Sequence, residues 1–268
     1  MFWNNVFSTI GRSGVNVRFF SIAIGALLVA LAGPSRADQC LILEDFSSST
    51  VNSFPKEWNH REESGKTVYS IAKEGEMFFV RAKAAGPRSA GNGVEADRSV
   101  QWNIEQYPIL RWQWRPRVFP KGANEYTGKD DSALGVYVGF CPSEDLALCE
   151  RSVKGQLGLR DRLMLPKLLM SKGAGSLKYI WSERLTKGFE FDKGRKAVKV
   201  LESGAPKKPD QWVREQVDIA SDYRRRFGVQ KLLSPIGISI LTDSDDTQSD
   251  YPDSVAEGDY ADFKLCRE

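Results

Sequence analysis

The sequence predicts an all-β fold, an antiparallel β-sandwich of the jelly-roll type with one or two short helices. Short segments of the chain alternate apolar and polar residues, which is the pattern of half-buried strands. About ten such segments are separated by turn residues, and helical spacing is rare. No repeat, linker or low-complexity block divides the 268 residues, so we expect one domain after an N-terminal leader.

The clearest alternation lies in two strands predicted between Ile109 and Phe140. In the first strand, one side is apolar and holds Leu110, Trp112 and Trp114. The other side is polar and holds Arg111, Gln113 and Arg115. The second strand repeats the division, with Leu134, Val136, Val138 and Phe140 opposite Asp131, Ala133, Gly135, Tyr137 and Gly139. We expect these two strands to be neighbours in a sheet with one dry face and one polar face.

The remaining elements follow in chain order. Strands are predicted at 41–46, 67–72, 77–84, 99–104, 177–184, 197–201, 212–219, 235–240 and 260–266. The second and third of these form a hairpin around a turn that contains glycine. A helix is predicted over Ala220 to Phe227, because Tyr223 and Phe227 are one turn apart and Gly228 follows. The stretch from Gly155 to Gly175 has no clear pattern.

The first 37 residues are predicted to be a secretory signal peptide. Arg12 and Arg18 precede an apolar run from Phe19 to Gly33, and Ser35-Arg36-Ala37 offers a cleavage site. The run is shorter than the roughly 20 residues that span a bilayer. We therefore expect a domain over residues 38–268 that is periplasmic or secreted and has no membrane attachment after cleavage.

Charge and cysteine usage narrow the function classes. The leader holds three of the 38 basic residues and none of the 35 acidic ones, so the remaining chain is formally neutral and gives no indication of nucleic-acid binding. Four cysteines allow three pairings, and their positions favour Cys40 with Cys266 and Cys141 with Cys149. A single histidine and no Cys-x-x-Cys argue against zinc. Oligomeric state is not indicated.

Carboxylates are the main candidates for a functional site, because His60 alone offers little for a histidine-based mechanism. Asp130 and Asp131 enter the second strand, and Asp131 shares the face of Tyr137, where two glycines leave room over the ring or relieve strand curvature. A second acidic segment, Thr242 to Thr247, contains Asp243, Asp245 and Asp246. It lacks the glycine and glutamate of an EF-hand.

This second segment is a solvated acidic turn, a looser calcium site or a group of hydroxyl-binding carboxylates. We expect no cofactor, with calcium as the one candidate. Because each acidic segment lies at a strand end, we predict that the two form one site, with Arg111 and Arg115 as their partners on the neighbouring strand. Trp112 and Trp114 belong to the core side, whereas Trp181 and Trp58 stand among polar residues and are candidates for an exposed platform.

These residues resemble a bacterial family called domain of unknown function 3047, or DUF3047. The resemblance rests on short motifs in a matching order: Leu110 to Arg115, Phe119-Pro120, Asp130-Asp131, Val136-Tyr137-Val138, Tyr179-Ile180-Trp181, Asp218 and Asp222, Thr242 to Thr247, and Gly258-Asp259-Tyr260. The family pattern has Asn where Asp246 stands here. The resemblance implies a domain identity and no reaction. The terminal strands, around Asp45-Phe46 and Asp262-Phe263, are also similar to those of carbohydrate-binding jelly rolls.

The leading functional hypothesis is a non-catalytic module that binds a saccharide or similar polyol on the face of Asp131 and Tyr137. A carboxylate-based glycoside hydrolase or lyase is the second hypothesis, with its acids among Asp130, Asp131, Asp218, Asp243 and Asp245. A structural envelope protein is the third, for which a continuous exposed apolar patch would be the sign.

Cleavage of the leader is predicted to occur after Ala37. The intact mass of the exported protein should therefore correspond to a chain that begins at Asp38. Recovery of the full-length chain from the inner membrane would instead identify residues 19–33 as an anchor.

Overall fold

A computed structural model describes residues 40–60, 67–85, 94–96, 102–141, 175–194, 196–208, 210–228 and 234–268, together with 147 and 149. These residues belong to one compact unit, Asp38–Glu268. The predicted signal peptide and nearly all of the unassigned stretch from Gly155 to Gly175 lie outside the described residues. Within the described part, no helix has the length and apolar character needed to cross a membrane.

The described residues form thirteen strands in two sheets, with one helix. Sheet A contains β1 (Cys40–Glu44), β3 (Val68–Glu74), β4 (Met77–Ala85), β6 (Ile109–Val118), β11 (Val213–Asp218) and β13 (Val255–Cys266). Its strand order is β11-β6-β13-β4-β3, and β1 also pairs with β13. Sheet B contains β2 (Trp58–His60), β5 (Val94–Ala96), β7 (Leu134–Cys141), β8 (Ser176–Ser182), β9 (Glu190–Lys193), β10 (Lys196–Ser203) and β12 (Ser234–Leu241). Its strand order is β2-β5-β12-β7-β8-β10-β9. All pairs are antiparallel except β8 with β10. The predicted antiparallel β-sandwich is confirmed.

The two predicted central strands are present, but the expectation that they neighbour each other in one sheet is wrong. β6 lies between β11 and β13 in sheet A, whereas β7 lies between β12 and β8 in sheet B. The connection over residues 119–133 carries the chain from one sheet to the other. Strand alternation identifies a buried face, but it does not distinguish a partner beside the strand from a partner across the core.

The core between the sheets is aromatic. Trp112 and Trp114 are fully buried as predicted, and Trp112 packs on Tyr179 while Trp114 packs on Trp181, with ring centroids 5.9 and 6.2 Å apart. Trp181 is only 2% exposed, and its indole N–H donates to the carbonyl of Gly204. The prediction that Trp181 and Trp58 are exposed platforms is therefore wrong, because both side chains point into the core.

Two smaller elements agree with the sequence. β3 and β4 form the predicted hairpin, and Gly75 in its turn has a φ of 60°. The helix, α1 (Ile219–Phe227), begins after Asp218, whose side chain accepts a hydrogen bond from the backbone N–H of Ser221. It ends at Gly228, which has the left-handed conformation that commonly terminates helices.

Both predicted disulfides are formed. Cys40 in β1 is joined to Cys266 in β13, and these two strands are paired. Cys141, the last residue of β7, is joined to Cys149. The first bond links the ends of the domain, and the second links the end of β7 to the segment that follows it.

A buried carboxylate organises the outer face of sheet A. Asp259 in β13 is fully buried and accepts hydrogen bonds from the guanidinium groups of Arg81, Arg115 and Arg117 at 2.8–3.1 Å. Burial alone would raise the pKa of Asp259, but these arginines outweigh it and lower that pKa. Arg115 also stacks on the ring of Trp212, 4.3 Å from the ring centroid.

The arginines of β6 therefore do not neutralise the two acidic segments, and that prediction is wrong. Arg115 binds Asp259 and Glu74, and Arg111 donates to the side chain of Gln216 and to the backbone oxygen of Glu268. All of these partners lie with sheet A or at its edge. The acidic segments belong to sheet B, on the other side of the core.

Asp259→Asn should lower the free energy of unfolding by about 3–5 kcal/mol, because it leaves the buried Arg115 guanidinium beside a neutral amide. Urea unfolding at neutral pH measures the change. Glu76→Gln, which alters an exposed carboxylate paired with Lys73 in the β3–β4 turn region, serves as the control and should leave stability unchanged within error. A loss at Asp259 no larger than that of the control would contradict the assignment.

Candidate functional site

The candidate site lies on the outer face of sheet B and in two loops beside it. The 119–133 loop enters β7, and the acidic turn, residues 242–247, leaves β12. β7 and β12 are antiparallel neighbours, so the start of one strand lies beside the end of the other. This pairing brings the two acidic segments together, as the sequence predicted from their positions at strand ends.

Asp131 is fully buried and holds the acidic turn in shape. Its carboxylate accepts hydrogen bonds from the backbone N–H groups of Asp246 and Thr247, at 2.9 and 2.8 Å, and from the Thr247 hydroxyl at 2.7 Å. Three donors satisfy a charge that would otherwise be costly to bury. Asp131 therefore acts on the conformation of the turn.

Asp243 connects the same two loops through Ser132. The backbone N–H of Asp243 donates to the carbonyl of Ser132 at 2.9 Å, and the N–H of Ser132 donates to Oδ1 of Asp243 at 2.7 Å. Burial raises the pKa of Asp243, and the nearby Lys178 opposes that shift. The reciprocal bonds fix the spacing of Asp131 and Asp243.

Three carboxylates of this region could hold a metal ion. One oxygen from each of Asp131, Asp243 and Asp245 lies within 4.8 Å of the others. Oxygen ligands suit a hard cation such as Ca²⁺. The hydrogen bonds to Asp131 and Asp243, however, already offset much of the negative charge, so the expected calcium site stays a prediction.

Lys178 and Tyr137 occupy the centre of the outer face. Lys178 is 3% exposed, lies directly opposite Tyr137 in the pairing of β8 with β7, and places its ammonium group 5.3 Å from the centroid of the Tyr137 ring. Burial alone would lower the pKa of Lys178, but Tyr137, Asp243 and Asp130 outweigh it and raise that pKa. Lys178 is thus an internal countercharge for the acidic segments, in the place where the sequence suggested arginines.

The glycines beside Tyr137 make room for side chains of the protein itself. A Cβ at Gly135 would lie 3.5 Å from the Tyr137 ring and 3.6 Å from Cε of Lys178, and a Cβ at Gly139 would lie 3.1 Å from Ile236. The space over the ring that the sequence suggested for a ligand is therefore shared with the stem of Lys178.

Asp130 and Asp246 form a carboxyl pair at the edge of the site. Their side chains hydrogen-bond to each other, and this bond, together with burial, raises the pKa of Asp246 to about 7. Burial alone would raise the pKa of Asp130, but the bonds from Asp246 and Lys193 outweigh it and lower that pKa to about 2. Lys193 binds Asp130 at 2.8 Å and also donates to the carbonyl of Thr127 at 2.7 Å.

Three aromatic rings beside Lys193 were not singled out from the sequence. Tyr126 in the 119–133 loop packs against Phe189 and Phe191, with centroids 5.6 and 5.4 Å away, and the last two are 5.7 Å apart. Tyr126 is 60% exposed and Phe189 is 40% exposed. We call these residues the aromatic cluster. The sequence feature that could have indicated this cluster is an aromatic residue in each of two polar loop segments, Asn-Glu-Tyr-Thr and Lys-Gly-Phe.

The 119–133 loop that carries Tyr126 is held against sheet B. Glu125 is buried and accepts a hydrogen bond from the hydroxyl of Ser182 in β8 at 2.7 Å, and burial raises the pKa of Glu125. The ammonium group of Lys193 holds the following part of the loop by donating a hydrogen bond to the carbonyl of Thr127. The exposed ring of Tyr126 is therefore presented from a fixed loop.

Comparison with known proteins identifies the family. The family described as protein of unknown function (DUF3047) matches residues 56–256. The chain belongs to the DUF3047 family. That range includes the 119–133 loop, the acidic turn and the aromatic cluster. No curated protein sequence matches the chain significantly.

Two solved structures are similar to this DUF3047 chain. One is the family 11 carbohydrate-binding module of the cellulosomal cellulase Lic26A-Cel5E of Clostridium thermocellum, with 9% identity, coverage of 87% of this chain and 96% of that chain, and a TM-score of 0.44. The other is a solution structure of CtCBM11, with 11% identity, coverage of 87% and 98%, and a TM-score of 0.42.

The carboxyl pair predicts a pH dependence of stability. The pKa of Asp246 is about 7 in the folded chain, above its ordinary value of 3.8, so folding favours the protonated form. The stabilising contribution is complete below about pH 4 and is lost as the pH rises toward 7. Asp246→Asn keeps a donor for Asp130 and does not titrate. The variant should therefore become more stable relative to the wild-type chain as the pH is raised from 4.5 to 8.

Chemical denaturation at several pH values between these limits checks the prediction. Asp253→Asn is the control, because Lys121 lowers the pKa of Asp253 and that group does not titrate in this range. A stability difference between Asp246→Asn and the wild-type chain that is constant with pH would contradict the shared proton.

Proposed function

We propose that this DUF3047 chain binds a saccharide, without catalysis, on the outer face of sheet B, and that it does so outside the cytoplasm. The observation that carries the proposal is the exposed aromatic cluster beside the charged pair of Lys193 and Asp130. Ligand sites combine apolar and aromatic surface with a few fixed polar groups. Two disulfides fit an oxidising compartment.

The aromatic cluster offers a surface for the apolar face of a sugar ring. Large aromatic side chains usually bury most of their area, and in this cluster Phe191 does so while Tyr126 and Phe189 remain open. A saccharide that covers the two exposed rings would remove apolar surface from water. The hydroxyl group of Tyr126 stays available for a hydrogen bond at the edge of the ligand.

Polar partners for sugar hydroxyls lie next to the rings. Lys193 is bound to the carbonyl of Thr127, the residue after Tyr126, and to Asp130, so its ammonium group and the Asp130 carboxylate stand beside the aromatic cluster. An ammonium group donates to hydroxyl oxygens, and a carboxylate accepts from hydroxyl groups. The loop is already held by Glu125 and Lys193, which limits the entropy lost on binding.

The buried acids of the site have a different role in this proposal. Asp131 accepts three hydrogen bonds from the acidic turn, and Asp243 is buried and accepts one from the N–H of Ser132, so both shape the site from beneath. Exposed or half-exposed groups contact the ligand. These are Tyr126, Phe189, Asp130, Lys193 and, at the edge of the acidic turn, Asp245 and Asp246.

A carboxylate-based glycosidase is a second candidate, favoured by one observation. Asp130 and Asp246 have pKa values pushed apart, to about 2 and about 7, which is the pattern of an acid and a base. Their carboxyl groups hydrogen-bond to each other, whereas glycosidase carboxylates are separated by about 5 Å or more to accommodate the sugar. Hydrolysis of a bound saccharide that is lost in Asp246→Asn would favour this candidate.

Tyr126→Ala should weaken saccharide binding by about tenfold, because it removes the larger exposed ring of the stacking surface. A glycan array with residues 38–268 identifies the ligand, and calorimetry measures the affinity. Phe189→Ala should act in the same direction, while Tyr126→Phe retains the stacking surface and should keep most of the affinity.

Val68→Ala is the control for loss of exposed apolar area, since Val68 lies in sheet A and is 60% exposed. It should bind like the wild-type chain. Saccharide binding that is unaffected by both Tyr126→Ala and Phe189→Ala would place the ligand elsewhere, and no binding to any glycan would refute the proposed function.

A further inference from the structure

Three lysines lie close together on the outer face of sheet B. Lys196 in β10 is directly opposite Lys193 in β9, and Lys178 in β8 is opposite Val198, two residues along β10 from Lys196. Residues that are opposite each other, or two apart on one strand, share a face of the sheet. The three side chains therefore project from the same face on three neighbouring strands, where like charges repel.

Two of these lysines lie close to a countercharge, whereas Lys196 has only more distant ones among the described residues. Lys193 pairs with Asp130 at 2.8 Å, and Lys178 lies close to Tyr137 and Asp243. Within the described part of the chain, no carboxylate comes within 4.0 Å of the ammonium group of Lys196. That group lies 6.0 Å from the centroid of the Tyr137 ring.

The surroundings of Lys196 disfavour its charge. The side chain is half-buried, and burial followed by the charge of Lys178 lowers its pKa, although Asp130 and Asp243 act in the opposite direction. A bound anion at this position would relieve the repulsion between Lys196, Lys178 and Lys193. Asp131 is bound by the acidic turn and Asp243 by Ser132, and neither carboxylate forms an ion pair with Lys196.

We propose that Lys196 receives the carboxylate of an acidic saccharide, so that uronate-containing oligosaccharides are the ligand class of this site. The inference rests on the proposed saccharide function and specifies the ligand.

The distance between Lys196 and the aromatic cluster suits such a ligand. Phe191 is two residues before Lys193 on β9, a separation of about 7 Å along a strand, and Lys193 is opposite Lys196. Tyr126 and Phe189 pack on Phe191. One sugar ring on the aromatic cluster would thus leave a carboxylate of the same or the next unit within reach of Lys196.

The test compares acidic and neutral oligosaccharides of equal length. Residues 38–268 are titrated by calorimetry with a panel of uronate oligomers, including oligogalacturonate, and with the corresponding neutral oligomers. We expect a uronate oligomer to bind about tenfold more tightly than its neutral counterpart, because a charge-assisted contact adds to the stacking. The difference should shrink as salt is added.

Variants at Lys196 assign the effect. Lys196→Met should remove the preference for the acidic oligomer while leaving the affinity for the neutral one, and Lys196→Arg should retain the preference. Lys207→Met, at an exposed lysine in the loop before β11, is the matched control and should change neither affinity. Thermal unfolding of each variant verifies folding. NMR titration of the Lys196 side chain should show its pKa rising when the acidic oligomer binds.

The possible failures can be separated. Equal binding of acidic and neutral oligomers, or a preference that survives in Lys196→Met, would overturn this inference while leaving the saccharide function intact. Binding of neither kind of oligomer would overturn this inference, and together with the absence of any bound glycan on the glycan array it would overturn both.

Discussion

The burial of aromatic residues between two sheets is the constraint on which this structure depends. Trp112 and Trp114 from β6 meet Tyr179 and Trp181 from β8 across the core. Each ring buries a large apolar area, which is the principal source of stability in a sandwich of this kind. Because β6 and β8 lie in different sheets and β7 pairs with β8, the 119–133 loop between β6 and β7 has to cross an end of the sandwich. The candidate site is built on that crossing.

The acidic residues of the site divide into two groups by their access to solvent. Asp131 and Asp243 are buried and hold the acidic turn against the 119–133 loop through backbone donors. Asp130, Asp245 and Asp246 remain at the surface of the same cluster. A buried carboxylate with three donors is rigid and cannot readily exchange them for a ligand, so it determines geometry, whereas the outer groups are free to make contacts. The inner group therefore supports the outer one.

Much of the fold could be predicted from the sequence because alternation is a local property. It identified the buried faces of β6 and β7 and the two strands of the β3–β4 hairpin. The one-turn spacing of Tyr223 and Phe227 before Gly228 identified α1, and the chain positions of four cysteines were sufficient to suggest both disulfides. Alternation did not reveal that β6 and β7 lie in different sheets, since this depends on a fifteen-residue connection without regular structure. Trp181 was predicted to be exposed because polar residues stand near it in the sequence. Ser182 and Lys178 lie on the opposite face of β8, and the two-residue period of the strand puts Trp181 on the core face with Leu177 and Tyr179.

The candidate site was only partly predictable. Strand ends indicated that Asp131 and Asp243 lie close together, but the countercharge came from Lys178, which is opposite Tyr137 only because β8 pairs with β7. The aromatic cluster forms because the 119–133 loop folds back over sheet B. No local sequence pattern specifies which residues of the sheet such a loop contacts.

The bond between Cys40 and Cys266 has a consequence for where the chain can be stable. These cysteines are 226 residues apart, and closing a loop of that length lowers the entropy of the unfolded chain by an amount worth about 5 kcal/mol on the chain-entropy model. Domains of ordinary stability have a total of about 5–15 kcal/mol. The reduced chain and the oxidised chain are therefore two proteins of markedly different stability. The redox state of the surroundings decides which of them exists.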